Sequence, residues 1–409
     1  MNAFQAGEVA CIWIDGRRVG PGEPPFIVAE LSGNHNGDLG RALALIDAAH
    51  AAGADAVKLQ TYTADTLTID CDGPHFRIES GPWAGQRLYD LYASAHTPWA
   101  WHEALFDRAR SLGLSIFSTP FDPSSVAFLE RFEPPAYKIA SFEAVDLPLI
   151  ECVAATGRPL ILSTGLATFE EVDEAIAAAA CGAGIACKES RHCEEALADE
   201  AIQASRGTSG SPRRFAARDD ELTFPGKDPA VGARRGGLIL LHCVSGYPSA
   251  PEEAGLGRMA ALAARTGLAV GLSDHSLGTT VAVAATALGA VMIEKHLTLS
   301  RADGGADAAF SMEPDEFAAL ARDCRTAWRA ANGSAEPGRT GSEQASVAFR
   351  RSLFIVDDVA AGEVFTPANV RSIRPGHGLA PKHLPQVLGR RAACSIARGT
   401  PLAWEMIAD

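Results

Sequence analysis

The 409-residue chain contains no apolar run approaching the ~20 residues that a membrane-spanning helix requires. The richest stretch, 281–293, is interrupted by Thr286 and Gly289. The amino-terminal MNAFQAGEVACIW lacks a basic region leading into an apolar core, so a secretion signal is not expected and a cytoplasmic location is. Positive charge is scarce: 36 Lys and Arg against 50 Asp and Glu leave a net charge of −14. That balance disfavours nucleic acid and anionic membrane as partners. It leaves room for a small anionic ligand if a site gathers the few lysines. Nine cysteines include no CxxC pair, so reduced thiols are expected rather than a disulfide framework. One cluster, Cys181, Cys187, His192 and Cys193, matches no common zinc spacing.

What remains is ordinary globular composition, 47% hydrophobic and 21% charged, at a length that suggests two or three domains. IWIDGRRV at 12–19 places Asp15 and Gly16 between two short apolar runs, a hairpin signal for an extension over 1–24. A long alternation follows over 25–331. FIVAE (26–30) reads as a buried strand, and Leu39, Leu43, Ile46 and Ala49 lie at helical spacing after it. AVKLQ (56–60), SIFST (115–119), YKIAS (137–141), LILST (160–164), LILLHC (238–243), AVGLSD (269–274) and VMIEKH (291–296) continue the series, most separated by helical patterns. Eight strand–helix units favour an α/β fold of the closed (β/α)8 TIM-barrel type over an open sheet. Each strand ends in residues capable of chemistry: Glu30, Gln60, Thr119, Ser141, Ser163, His242, His275 and His296. Active sites of such barrels lie at that face. An insertion of about 181–236 precedes the sixth strand and is expected on the opposite face. The Gly/Ser/Pro/Glu-rich stretch 332–348 reads as a linker, and 349–409 as a small module.

Residues i and i+2 of a strand share a face, which pairs Lys58 with Gln60, Ser273 with His275, and Glu294 with His296. His275 and His296 end consecutive strands ~4.8 Å apart, close enough to share one divalent ion, although a structural histidine is the commoner case. The eighth strand closes beside the first and brings Glu30 near. The loop ELSGNHNG (30–37) is either a plain turn or a substrate-facing loop with Asn34 and His35 as polar handles. Lys58 and Lys138 lie inside strands, where a buried lysine needs a partner. With Thr119, Ser141, Ser163 and Ser273 they suggest a site for phosphate and carboxylate. A Schiff-base lysine remains the alternative.

The strings AELSGNHNG, KLQTYTADTLT, FSTPFD, YKIASFE, STGLAT, HCVSGYP, GLSDHSLG and IEKHLTLSR resemble, in order, the motifs of the sialic-acid synthase family. LSGNHNG with TYTADTLT, LYDLYASAHTPWAWH (88–102) and SFE after Lys138 are most similar to its pseudaminic acid branch. RRS (350–352) and RPGHGL (374–379) resemble the antifreeze-like (SAF) domain of such enzymes. The resemblance implies condensation of phosphoenolpyruvate with an N-acylated amino sugar. Carbon 3 attacks the sugar aldehyde, water adds at carbon 2, and phosphate leaves by carbon–oxygen cleavage. It implies that His275 and His296 hold Mn²⁺ or Mg²⁺. Lys58, Lys138, Thr119, Ser141, Ser163 and Ser273 would bind phosphoenolpyruvate, while Gln60, Tyr247 and Asp307 contact the sugar. Glu30 and Glu143 are the implied acid/base pair, and Glu294 supports the metal. It further implies a domain-swapped homodimer in which Arg374 reaches the partner's site. Ser245 departs from the Asn frequent in neuraminate synthases. N-acetylneuraminate or legionaminate chemistry is the nearest alternative.

Overall fold

The computed structural model describes residues 11–184, 237–333 and 338–408. The chain divides into two units, Met1–Gly333 and Ser334–Asp409. The first opens with an antiparallel hairpin of β1 (Ile12–Ile14) and β2 (Arg17–Val19). Its turn residues Asp15 and Gly16 have φ of +46° and +76°, the left-handed values that a two-residue hairpin turn requires.

Eight parallel strands follow and close into a barrel. They are β3 (Phe26–Glu30), β4 (Ala56–Thr61), β5 (Ser115–Pro120), β6 (Tyr137–Ile139), β7 (Leu160–Ser163), β8 (Leu238–Cys243), β9 (Ala269–Ser273) and β10 (Met292–His296). The last strand pairs with the first in a register that sets His296 opposite Glu30. Several expected strands are trimmed at their ends: Ser141 sits in the short 3₁₀ turn Ser141–Glu143, and His275 lies two residues beyond β9. The helix after β3 spans Leu39–Ala51, with Asp38 as a cap accepting a hydrogen bond from the Arg41 amide.

Because both faces of a parallel barrel are covered, its strands are apolar over most of their length. The pleat still divides them. Ile27, Val57, Leu162, Leu240 and Ile293 pack outward against the helices. Phe26, Val28, Phe117, Ile161, Leu241 and Met292 fill the interior together with Ile12, Ile14 and Val19 of the hairpin. The hairpin thus closes the amino-terminal end of the barrel with apolar side chains. The charged interior positions among the described residues lie toward the other end, where the strands deliver their last residues.

One outward-facing charge pair is also buried. Lys295 Nζ donates to Asp274 Oδ2 at 2.6 Å and to the Ser276 carbonyl at 2.5 Å. Asp274 Oδ1 accepts from the amide and hydroxyl of Ser276. These bonds tie the residues flanking His275 to the residue preceding His296.

The second unit pairs β11 (Ser352–Ile355) with β12 (Val370–Ile373) in antiparallel fashion. Its own small core gathers Leu353, Ile355, Phe365, Val370, Val387 and Leu402. Residues 185–236 lie outside the described residues. So do all but the first four residues of the expected insertion, and three members of the cysteine–histidine cluster, Cys187, His192 and Cys193. The helix preceding that segment runs to Gly182, slightly beyond the start expected for the insertion. Of the expected linker, 334–337 also lie outside the described residues.

Candidate active site

The pleat aims four ionisable side chains into the polar end of the barrel: Glu30, Lys58, Lys138 and Glu294, each at most 5% exposed. Lys58 Nζ contacts the Glu30 carboxylate and lies 3.6 Å from Glu294 Oε1. Lys138 Nζ is 3.8 Å from the same oxygen and donates to Ser163 Oγ at 2.6 Å. Ser273 Oγ donates to Glu294 Oε1 at 3.0 Å. Two carboxylates and two ammonium groups therefore compensate one another where an isolated charge would not persist. Burial alone would raise Glu294, but Lys138, Lys58 and Ser273 outweigh it and hold the carboxyl below its ordinary value. For Glu30 burial wins over Lys58, and the neighbouring Glu294 adds to the upward shift. Burial pulls Lys138 down, whereas Glu294 and Glu30 keep Lys58 up.

Beside this quartet stand His275 and His296, with ring centroids 5.4 Å apart. His275 Nδ1 lies 2.9 Å from the Val244 carbonyl, so that nitrogen carries the proton. His296 Nδ1 is 3.2 Å from Ser32 Oγ. Neither Nε2 has a hydrogen-bond partner among the described residues. Burial, followed by His275 and the lysines, drives His296 well below its ordinary pKa, which favours the neutral ring. For His275, Cys243 and the Val244 carbonyl outweigh burial and raise it. Two imidazoles, each engaged at one nitrogen and unengaged at the other, fit a divalent cation held with open positions. No group of three or more His, Cys, Asp or Glu among the described residues is arranged to hold a metal. The protein would therefore contribute the two histidines, leaving other positions to water or substrate.

A cavity of about 610 Å³ opens over these groups, lined by Lys58, Lys138, His275, Glu294 and His296. Gln60, Ser141, Glu143, Ser163, Tyr247, Ser273 and Asp307 also line it. Burial raises Glu143 to about 7. Its Oε2, Glu294 Oε2 and Ser245 Oγ are buried without a hydrogen-bond partner, a pattern expected where a ligand completes the bonding. Leu67, Ile78, Trp83, Leu91, Tyr92 and Phe121 give one side of the cavity an apolar surface.

Four expected site residues of the barrel stand elsewhere. Thr119 accepts a bond from Lys58 Nζ and does not line the cavity. Asn34 is committed to the Leu297 carbonyl and Ser311 Oγ, and His35 packs edge-on against Trp101, so both hold the loop together rather than serving as polar handles. His242 falls on the outward phase of β8 and bonds the Ala254 carbonyl, while its neighbour Cys243 lines the cavity. Arg374 is exposed immediately after β12 in the second unit. Sequence reasoning missed Cys243, 3.8 Å from His275 Nδ1. It also missed Ser32, and the aromatic pair Trp83 and Phe310 that packs around Tyr247 and His296. Period-two alternation favours Cys243 only once the inward phase of β8 is known, and nothing in the sequence marks the other three.

The family model described as the NeuB family matches residues 45–336, and that of the SAF domain matches 350–408. The chain is 38% identical over 380 residues to a pseudaminic acid synthase of Campylobacter jejuni, covering 92% of this chain and 95% of the relative. It is 37% identical over 382 residues to a pseudaminic acid synthase of Helicobacter pylori, covering 93% and 97%. Among solved structures, the N-acetylneuraminic acid synthetase of Leptospira borgpetersenii in complex with citrate superposes with a TM-score of 0.62. That match is at 26% identity over 84% of this chain and 97% of the other.

The raised Glu143 has a consequence for stability. Its pKa is about 7 in the fold against 4.5 for the free side chain. As pH rises between those values the unfolded chain releases this proton while the folded chain retains it, so folding stability declines. The contribution is complete below the lower value and gone above the upper one. Urea unfolding across this range should therefore show wild type losing stability relative to Glu143→Gln, with the difference constant at higher pH. Parallel curves for the two proteins would mean that Glu143 titrates as an ordinary carboxylate.

Proposed function

The chain belongs to the NeuB family, and from that membership we propose that it acts as a pseudaminic acid synthase. It would condense phosphoenolpyruvate with a 2,4-diacetamido-2,4,6-trideoxy hexose and water, releasing phosphate by carbon–oxygen cleavage. The observation that carries the reading is the pairing of two buried lysines, flanked by hydroxyls, with an apolar wall in the same cavity. Lys58 and Lys138, with Ser141, Ser163 and Ser273, suit a ligand bearing both phosphate and carboxylate. The apolar side around Trp83, Leu91 and Phe121 suits a sugar rich in methyl groups. Gln60, Tyr247 and Asp307 would orient its polar substituents.

His275 and His296 would hold Mn²⁺ or Mg²⁺. When bound, such a cation supplies Lewis acidity toward the sugar aldehyde. Glu143, protonated up to about pH 7, is suited to give a proton to the aldehyde oxygen as carbon 3 of phosphoenolpyruvate bonds to the aldehyde carbon. Glu30 would take a proton from the water that adds at carbon 2. Glu294, fixed between Lys58, Lys138 and Ser273, would stabilise positive charge developing there. A Schiff-base aldolase is the contrasting class. Lys138, pulled down by burial, is the better nucleophile for it, since Lys58 is held in its charged form.

The proposal extends to a cytoplasmic homodimer. Ile69, Phe142, Val145, Leu166 and Leu277 are all more than half exposed, on loops that follow β4, β6, β7 and β9 at the cavity's end of the barrel. An apolar rim of this kind favours a covering partner. Arg374 of the partner subunit would then donate to the sugar's N-acyl oxygen. No helix among the described residues is long and apolar enough to cross a membrane.

Two experiments test these readings. Phosphate release from phosphoenolpyruvate should depend on the diacetamido-trideoxy sugar, exceed that with N-acetylmannosamine at least ~100-fold, and stop with EDTA. Release with N-acetylmannosamine alone would make it a neuraminate synthase. Borohydride trapping of pyruvate, with EDTA-resistant turnover, would make it an aldolase. For the dimer, Arg374→Ala and His275→Ala should each be inactive alone and regain activity when refolded together, because one barrel of the mixed dimer receives both groups. No recovery after confirmed subunit exchange would remove Arg374 from the partner's site.

A further inference from the structure

Ser32 follows the end of β3 by two residues, with φ of +40°. A residue with a Cβ adopts that left-handed backbone only where its surroundings enforce it. Here the enforcing contacts all belong to the site. The Ser32 amide donates to Glu30 Oε1 at 3.0 Å. The hydroxyl lies 3.2 Å from His296 Nδ1. Ser32 itself is 1% exposed, so no solvent competes for these bonds.

The donor inventory fixes their direction. A cation takes only a ring nitrogen without a proton, so when Nε2 faces the cation it is Nδ1–H that donates and the Ser32 hydroxyl oxygen that accepts. The ring is then the tautomer whose Nε2 carries a lone pair. We propose that Ser32 is a positioning residue of the reaction, whose hydroxyl accepts from His296 Nδ1–H and presents Nε2 of His296 to a divalent cation. Its amide meanwhile orients Glu30. One residue thereby couples the carboxylate assigned to the added water with the imidazole assigned to the metal. The inference rests on the two-histidine centre of the proposed function.

Strain makes the test discriminating. In full-length Ser32→Gly the backbone relaxes, since glycine adopts positive φ freely, while the hydroxyl is lost. A residue that only stabilised the loop would give stability and binding that move together. The expected result is a melting temperature equal to or above wild type. Mn²⁺ affinity, read from the electron paramagnetic resonance signal of free Mn²⁺, should fall about 10–100-fold. KM for the amino sugar should rise, while KM for phosphoenolpyruvate stays within about twofold, because the support of the cation and not of the lysines is lost. Ser32→Ala keeps the Cβ and its strain, and should lose Mn²⁺ affinity to the same extent. Wild-type Mn²⁺ affinity and sugar KM in both variants would overturn the role of Ser32, as would losses that scale with lowered melting temperature. A wild-type protein that binds no Mn²⁺ would instead overturn the two-histidine centre, and this inference with it.

Discussion

Glu294 shared between Lys58 and Lys138 is the interaction on which the rest of the site depends. An ammonium or carboxylate taken into a barrel interior loses several kcal/mol of hydration, and only close, hydrogen-bonded counter-charges offset it. The arrangement here balances two of each sign, with Ser163, Ser273 and Gln60 satisfying further polar atoms. The balance is uneven by design of position. Among the described residues, Lys58 has two carboxylates beside it, whereas Lys138 has Glu294 alone, at 3.8 Å. An anionic ligand reaching Lys138 therefore supplies what the free protein gives it weakly, without stripping Lys58 of its partner. Anion binding and a tolerable free state are thus compatible in one small volume.

The barrel makes that placement possible by separating its two ends. Hairpin residues Ile12, Ile14 and Val19 and interior residues such as Phe26 and Met292 seal the amino-terminal end. The pleat brings charge inward only at the last one or two interior positions of each strand. The closure of β10 on β3 then sets His296 beside Glu30, so the histidine pair and the charge quartet share one wall. Outside that wall, the Asp274–Lys295 pair anchors the segments bearing both histidines.

Much of this was legible in the sequence because each strand is a short apolar run between helical patterns. The order of those runs alone makes β9 and β10 neighbours and brings His275 to His296. What could not be read was phase within a strand that is apolar on both faces: LILLHC offers His242 and Cys243 equally, and the fold turns the cysteine inward. Loop conformation was equally hidden. ELSGNHNG advertises Asn34 and His35, but a left-handed backbone at Ser32 sends its hydroxyl to the site, while Asn34 binds the Leu297 carbonyl. Glu143 entered only through resemblance, since a carboxylate in a short turn after β6 has no pattern of its own. Its burial, and hence its pKa of about 7, is a property of the assembled cavity.

The proposed function turns on one spatial relation: the lysines would hold phosphoenolpyruvate while the two histidines would hold the cation beside it. The most direct measurement is a crystal structure of the wild-type protein with Mn²⁺ and phosphoenolpyruvate, with the metal located by its anomalous signal. The predicted result is a single manganese coordinated by Nε2 of both His275 and His296, with the ligand's phosphate or carboxylate on Lys58 and Lys138. Manganese away from either histidine, or phosphoenolpyruvate bound without touching either lysine, would contradict it.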